Sequence, residues 1–361
     1  MTGVRCILMA LTSVAFMPAL SASYNDTRCD EAARKLETFY NPLIGMYSFR
    51  YWNSAVATNA IIDYMSSSGH RNITLEAMVA DTYTVLQVPI PKVGVPGFIS
   101  DYYDDMGWWG LTWSNAYEAS GQARFLQTAI GIFDDMTGGW DSVCGGGLWW
   151  TKKRTYKNAI PNELFLSLAA RLWRITGNQT YGDWAVKEWA WFRTSGMVNG
   201  QNLINDGLNI GNDNKTCVNN NATVWSYNQG TLLGGLTDLY LLTNNSEYRE
   251  AATSMARAAI AHLTDKVTGT LTEPGCEPSN TCEPDGVQFK GIFMRNLKYL
   301  DKKAAAGTFS PFIRANADLL WANRNAADNA LPLIWGKPYD GIQNGGRQSS
   351  GLDALNAVCF D

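Results

Sequence analysis

The chain has 361 residues, enough for one large domain or for about two domains at roughly 150 residues each. It has 29 Lys and Arg residues against 33 Asp and Glu residues, a net charge of −4, with no basic cluster. This composition excludes the phosphate-tracking surface of a nucleic-acid-binding protein. Aromatic residues make up 12% of the chain and include 14 Trp, which predicts that some flat apolar surface is displayed for binding.

The first 22 residues have the pattern of a secretory signal peptide. Arg5 precedes an apolar run from Cys6 to Ala19, and small residues at 19–22 suit a cleavage site. A membrane anchor is the alternative, but the run is shorter than the ~20 residues that a span needs. The tail at 351–361 lacks the hydrophobic segment of a lipid-anchor signal. We therefore expect residues 23–361 to form one extracellular, secreted domain, a monomer with no membrane association after cleavage.

The glycosylation sequons and the even number of cysteines both fit a secreted protein. After Cys6 leaves with the signal peptide, six cysteines remain, an even number that suits three disulfides. We predict Cys276 with Cys282, which closes a short Pro-rich loop, and Cys29 with Cys359, which would join the two ends. The pairing of Cys144 and Cys217 stays open. N-x-[ST] sequons begin at Asn25, Asn72, Asn178, Asn214, Asn221 and Asn244.

Helical periodicity dominates from a first helix near 28–39 to a last helix near 349–361. A small polar turn recurs between them at positions 69, 121, 177, 244 and 307, so successive turns are 52, 56, 67 and 63 residues apart. Each interval holds two helices of about 15 to 20 residues and one long loop. Twelve helices in six hairpins predict an all-α fold, a single-domain (α/α)6 barrel. An open helical solenoid is the alternative.

The long loops should gather on one face of this barrel, and function is expected on that face. The helices that follow the loops begin with aromatic and amide side chains. These starts are Tyr51-Trp52-Asn53, Tyr103-Asp104-Asp105, Asn158 to Glu163, Tyr227-Asn228-Gln229-Gly230, Gln288-Phe289-Lys290-Gly291 and Arg347-Gln348-Ser349.

Carboxylates remain as the candidate reactive groups once the other kinds of catalytic site are excluded. The chain has only two histidines, His70 and His262, and neither a P-loop nor a dinucleotide-binding glycine motif. The same shortage of histidine, with no CxxC, disfavours a zinc site, and no metal or cofactor is expected. Asp104 and Asp105 open a helix among aromatic residues, and adjacent carboxyl groups can reach the separation of about 5 to 5.5 Å that retaining glycosidases use.

One member of such a pair can stay an anionic nucleophile while the other holds a proton. The structural alternative for any Asp pair is helix capping and surface charge. The second adjacent pair, Asp134 and Asp135, lies at the C-terminal end of a predicted helix, where the dipole disfavours anions, and fits that alternative better.

Six ordered motifs across residues 30–310 resemble glycoside hydrolase family 76, the α-1,6-mannanases. They are Asp104-Asp105-Met106-Gly107-Trp108-Trp109, Gly145-Gly146-Gly147-Leu148-Trp149-Trp150, Tyr156-Lys157-Asn158-Ala159 with Asn162, Asn205-Asp206-Gly207-Leu208, Tyr227-Asn228-Gln229-Gly230 and Phe289-Lys290-Gly291-Ile292-Phe293. The resemblance implies an (α/α)6 fold and retaining cleavage of α-1,6-linked mannan backbones.

The resemblance also implies roles for individual residues. Asp104 would be the nucleophile, Asp105 the general acid/base and Asp206 a ligand of a sugar hydroxyl in the catalytic subsite. Motif matches and helix starts together give the substrate-binding candidates Trp52, Asn53, Trp108, Trp109, Asn158, Asn162, Asp206, Tyr227, Asn228, Gln229, Phe289 and Lys290.

The sequence therefore predicts a secreted endo-α-1,6-mannanase whose partner is a mannan polysaccharide. Two alternatives stay open. A transglycosylase of the same family would pass the glycosyl group to a sugar acceptor instead of water, and a catalytically silent protein would only bind mannan.

Overall fold

The computed structural model describes residues 26–48, 50–69, 72–90 and 96–360, and the predicted signal peptide lies outside them. Twelve α-helices in these ranges form two concentric rings, which confirms the predicted (α/α)6 barrel. The inner ring consists of α2 (Tyr51–Ser68), α4 (Tyr103–Ser120), α6 (Ala159–Thr176), α8 (Ser226–Thr243), α10 (Phe289–Lys303) and α12 (Gly345–Cys359). The outer ring consists of α1 (Arg28–Glu37), α3 (Ile73–Leu86), α5 (Ala123–Thr137), α7 (Gln179–Phe192), α9 (Ser246–Leu263) and α11 (Ser310–Ala322).

Four of the five short turns between inner and outer helices have the predicted Gly or Asn stop, whereas α10 ends at Lys303, four residues before Gly307. Gly69, Gly121 and Gly177 end inner helices in the left-handed conformation, with φ of 64°, 68° and 68°. Asn178 and Asn245 then cap the following outer helices, because each side chain accepts a backbone N–H of the first turn. Each of these stops ends an inner helix where the sequence predicts it.

Each inner helix packs against its two neighbours in the ring, and α12 contacts α2 as well as α10, so the ring is closed. The inner helices are therefore buried nearly all round; in α6, every residue from Ala159 to Ala170 is buried. The outer helices bury one face each. A closed ring rules out the open solenoid that the spacing alone permitted.

Three disulfides fix the ends and the long loops. Cys29–Cys359 joins α1 to the end of α12, and Cys276–Cys282 closes a small loop, both as predicted. The pair left open, Cys144 and Cys217, is also a disulfide and connects two of the long loops.

The long-loop face carries two small hairpins that the periodicity did not predict. Strand β1 (Tyr40–Asn41) pairs antiparallel with β2 (Met46–Tyr47), and β3 (Leu208–Ile210) pairs antiparallel with β4 (Cys217–Asn219). None of the helices in the described ranges is long and apolar enough to cross a membrane.

Candidate active site

Asp104 and Asp105 occupy the first turn of inner helix α4, on the long-loop face. The loop at 138–158 runs beside this helix start, because the backbone N–H of Tyr103 donates to the Trp150 carbonyl at 2.9 Å. The Trp150 indole Nε1 donates to Asp104 Oδ2 at 2.9 Å. The loop therefore supplies a directed hydrogen bond to one carboxylate of the pair.

The environments of the two carboxylates differ. Burial raises the pKa of Asp104 to about 6, although bonds from the Trp150 indole and the Asp105 backbone N–H oppose the rise. Burial also raises the pKa of Asp105 well above its ordinary value, and the negative charges of Asp104 and Asp285 raise it further. Among the described residues, a side-chain hydrogen bond is made to Asp104 and none to Asp105, so Asp104 is the member that ionises first.

Four aromatic side chains form a continuous stack beside the pair, which we call the aromatic wall: Trp52, Trp108, Tyr227 and Phe289. The rings of Tyr227 and Phe289 are parallel, with centroids 3.9 Å apart, and Trp52 stacks on Trp108 at 5.7 Å. Trp108 lies one turn beyond the carboxylates on the same helix. Flat ring surfaces next to paired carboxylates suit the binding of a sugar face.

Asp206 lies on the loop between α7 and α8 and accepts a hydrogen bond from the Tyr156 hydroxyl at 2.6 Å. Burial raises its pKa, and the Tyr156 hydroxyl bond opposes the rise. The negative charges of Asp206 and Asp104 both raise the pKa of Tyr227, after burial, so these carboxylates face the aromatic wall together.

The glycine-rich motif at 145–147 is explained by a buried cation beneath it. The Lys157 ammonium is fully buried and donates to Asp141 Oδ1 at 2.9 Å and to the Gly146 and Gly147 carbonyls at 2.6 and 2.9 Å. Both glycines have positive φ, and a Cβ at Gly147 would lie 2.1 Å from the Trp191 ring. This lysine therefore holds the loop that carries Trp150, a role that sequence reasoning missed.

Sequence reasoning also missed Asp285, although the residue stands four positions before the Phe289-Lys290-Gly291 motif. It precedes the short 3-10 turn Gly286–Gln288 that leads into α10. Its Oδ1 accepts the Trp52 indole N–H at 3.0 Å. A carboxylate four positions before a recognised motif is the sequence signal that points to it.

The predicted binding residues divide into two groups. Trp52, Trp108, Tyr227 and Phe289 form the aromatic wall, and Asp206 faces it. Asn158 Oδ1 and both amide atoms of Asn228 are buried without a hydrogen-bond partner among the described residues, so their hydrogen-bonding capacity is not used inside the protein.

The second group lies behind this surface. Asn162 bonds to the Leu148 backbone, Gln229 bonds to the Ile204 backbone, and Asn53 bonds to Gln288. Trp109 stacks on Trp113 in the core. The buried Lys290 ammonium pairs with Glu277 and donates to the Leu333 carbonyl at 2.7 Å. The polar atoms or rings of these five side chains are bonded or packed inside the protein. They therefore support the binding surface and do not form part of it.

The second aspartate pair, Asp134 and Asp135, lies near the end of α5, where Asp135 pairs with Lys152 at 2.8 Å. The capping and surface-charge interpretation fits this placement. Across the part of the chain that the structure describes, no group of three or more His, Cys, Asp or Glu residues is arranged to hold a metal ion.

Comparison with known proteins places this chain in a family. The model of glycosyl hydrolase family 76 matches residues 24–361. The mannan endo-1,6-alpha-mannosidase DCW1 of Candida albicans is 31% identical over 284 residues, which cover 72% of this chain and 60% of that protein. The DCW1 protein of Saccharomyces cerevisiae is 28% identical over 348 residues, which cover 88% of this chain and 74% of that protein.

A solved structure has the same fold. It is an inactive variant of an alpha-1,6-mannanase from a Salegentibacter species, with two adjacent aspartates replaced, in complex with alpha-1,6-mannotetrose. The TM-score is 0.80 at 21% identity, and the match covers 92% of this chain and 98% of that chain. The match of the family model over nearly the whole chain shows that this protein belongs to glycosyl hydrolase family 76.

Proposed function

We propose that the chain is an endo-acting α-1,6-mannanase that cleaves mannan backbones with retention of configuration. The observation that carries the proposal is the adjacent pair Asp104 and Asp105 beside the aromatic wall, with a directed hydrogen bond from Trp150 to Asp104. Membership of the family and the activities for which its relatives are named support the choice of substrate.

The division of labour follows from the order of ionisation. Asp104 is anionic and attacks the anomeric carbon, while the protonated Asp105 donates its proton to the departing glycosidic oxygen. In the second step, Asp105 accepts a proton from water, which releases the sugar from Asp104. Both residues lie at the N-terminus of α4, where the helix dipole favours a negative charge.

The surrounding residues position the sugar chain. The aromatic wall offers its ring faces, and Asp206, fixed by Tyr156, accepts a sugar hydroxyl in the catalytic subsite. The amides of Asn158 and Asn228 supply further hydrogen bonds. Water as the acceptor gives hydrolysis, and products longer than the substrate would indicate transfer to a sugar instead.

The protein is proposed to act outside the cell after removal of residues 1–22. Three disulfides fit an oxidising compartment. The sequon asparagines Asn178, Asn214, Asn221 and Asn244 are exposed and therefore accessible to glycosylation.

The experiment compares Asp104→Asn and Asp105→Asn with the wild type on unbranched α-1,6-mannan. Each change should lower kcat/KM by about a thousandfold or more, because each removes one of the two groups that act on the acetal. Asp134→Asn is the matched control, since it alters an exposed aspartate of the second pair and should leave activity unchanged. Cleavage at the wild-type rate by both catalytic variants would refute the assignment.

A further inference from the structure

A third carboxylate, Asp285, lies at the edge of the aromatic wall. Its Oδ1 is occupied by the Trp52 indole N–H at 3.0 Å, and Trp52 in turn stacks on Trp108, one turn beyond the catalytic pair on α4. Residue Asp285 is solvent-accessible although its carboxyl group is partly buried, and within the described ranges its second oxygen accepts no hydrogen bond. One oxygen is therefore fixed and the other is open toward the long-loop face.

The backbone that carries Asp285 is held rigidly on three sides. Gln288, three residues later, donates to the Asn53 carbonyl at 3.0 Å and to Ser349 Oγ at 2.6 Å, which joins this turn to α2 and α12. On the other side, Gly286 packs against the Cys276–Cys282 disulfide. A carboxylate on such a base is pre-organised, so little ordering accompanies the binding of a ligand.

The arrangement of this carboxylate matches what a sugar chain requires. An aromatic face accepts the apolar side of a pyranose ring, and a carboxylate oxygen at its edge accepts a hydroxyl in a charge-assisted hydrogen bond. We propose that Asp285, oriented by Trp52, is a substrate-binding residue that accepts a hydroxyl of the α-1,6-mannan chain and also contributes negative charge beside Asp105. The inference rests on the proposed function of the site.

The negative charge of Asp285 acts on both members of the catalytic pair. Asp104 and Asp285 are the carboxylates whose negative charge raises the pKa of Asp105, and Asp285 also raises the pKa of Asp104. Tyr51 faces Asp105 with a pKa raised by burial and is therefore uncharged. The positive charge of Arg50 acts on Asp285, whose pKa is raised by burial and lowered by the Trp52 bond and by this arginine.

The test compares the wild type, Asp285→Asn and Trp52→Phe on linear α-1,6-manno-oligosaccharides, with KM, kcat and the pH profile measured for each. Asp285→Asn should raise KM about tenfold, since its amide N–H faces the substrate once the amide oxygen accepts the Trp52 N–H. It should also move the acidic and the basic limb of the pH profile to lower pH, because the charge that raises the pKa of Asp104 and of Asp105 is lost. Trp52→Phe keeps the carboxylate but frees it, so KM should rise while the limbs stay in place.

The matched control is Glu283→Gln, which removes a negative charge two residues away on the same loop. Glu283 accepts bonds from Asn344 and pairs with Arg347, and its charge is not among the causes that raise the pKa of either catalytic aspartate, so its replacement by the isosteric Gln should leave KM and both limbs unchanged. A wild-type KM in Asp285→Asn overturns the inference, even if the limbs move, because the residue would then act through its charge alone. A wild type that does not cleave the substrate instead overturns the proposed function.

Discussion

The Trp150 indole decides which member of the catalytic pair carries the charge. Its N–H donates to Asp104 and to no atom of Asp105 among the described residues, and this bond lowers the pKa of Asp104. Activity needs Asp104 ionised and Asp105 protonated, so it should rise as pH increases through about 6 and fall at higher pH, where Asp105 loses its proton. A bell-shaped profile of kcat/KM is expected.

Removal of that bond should move only one limb of the profile. In Trp150→Phe the pKa of Asp104 rises, so the acidic limb should move to higher pH and kcat should fall about tenfold, as expected for a hydrogen bond to a charged group. Trp149→Phe is the matched control, because the Trp149 indole donates to Asp141 at 2.7 Å instead of to a catalytic residue. An unchanged acidic limb in Trp150→Phe would contradict this role for the indole.

At the scale of the elements, some motif glycines serve the packing of inner helices. Gly230 ends the Tyr227-Asn228-Gln229-Gly230 motif on α8, and a Cβ there would lie 2.4 Å from the Phe293 Cα on α10. Gly291 makes a similar approach to Ser350 on α12. These contacts allow neighbouring helices to carry their N-terminal side chains close enough to share one site.

Gly230→Ala should therefore destabilise the barrel by about 1–3 kcal/mol, because the methyl group meets backbone that cannot rotate away. Gly131→Ala on the outer helix α5 is the control, since a Cβ there has nothing within 4 Å. The control change should raise the free energy of unfolding by about 0.5–1 kcal/mol, through helix propensity. Urea unfolding of both variants measures the difference, and equal stabilities would show that α8 and α10 tolerate the methyl group.

The helices could be predicted from the sequence because their end signals are local. Gly121 and Asn178 stop and start helices through bonds within a few residues, so the connectors alone give the number and order of helices. The short strands β1 to β4 have too few residues for a periodic signal. Asp285 and the buried Lys157 depend on contacts made only after the ring closes, and no spacing in the sequence predicts them.

At the scale of the whole molecule, charge is divided between the two ends of the barrel. The N-termini of the inner helices meet on the long-loop face, where the dipoles favour the carboxylates of the active site. At the opposite end, a cavity of about 1250 Å³ is lined, within the described ranges, by eight Arg and Lys residues and four Asp and Glu residues. The cations there lie near the C-terminal ends of the same helices, whose dipoles favour positive charge. The shared direction of the inner helices therefore accounts for the charge at both ends of the barrel.

Closure of this ring depends on the two ends of the chain. Gln348 of α12 donates to the Ala32 carbonyl of α1 at 3.1 Å, and the Cys29–Cys359 disulfide links the same two helices across 330 residues. The cost of closing a loop in the unfolded chain grows with loop length, so this disulfide should stabilise the protein by about 6 kcal/mol. For Cys276–Cys282, with a separation of 6 residues, the same reasoning gives about 2 kcal/mol.

The two disulfides can be compared directly by replacing both cysteines of each with serine. Cys29→Ser with Cys359→Ser should lower the free energy of unfolding more than Cys276→Ser with Cys282→Ser, measured by urea unfolding without reductant. Activity should show the reverse order, because the small loop supports Asp285 whereas the ring-closing disulfide lies far from the catalytic pair along the helices. Equal losses of stability would mean that the packing of α12 against α1 and α2 closes the ring without covalent help.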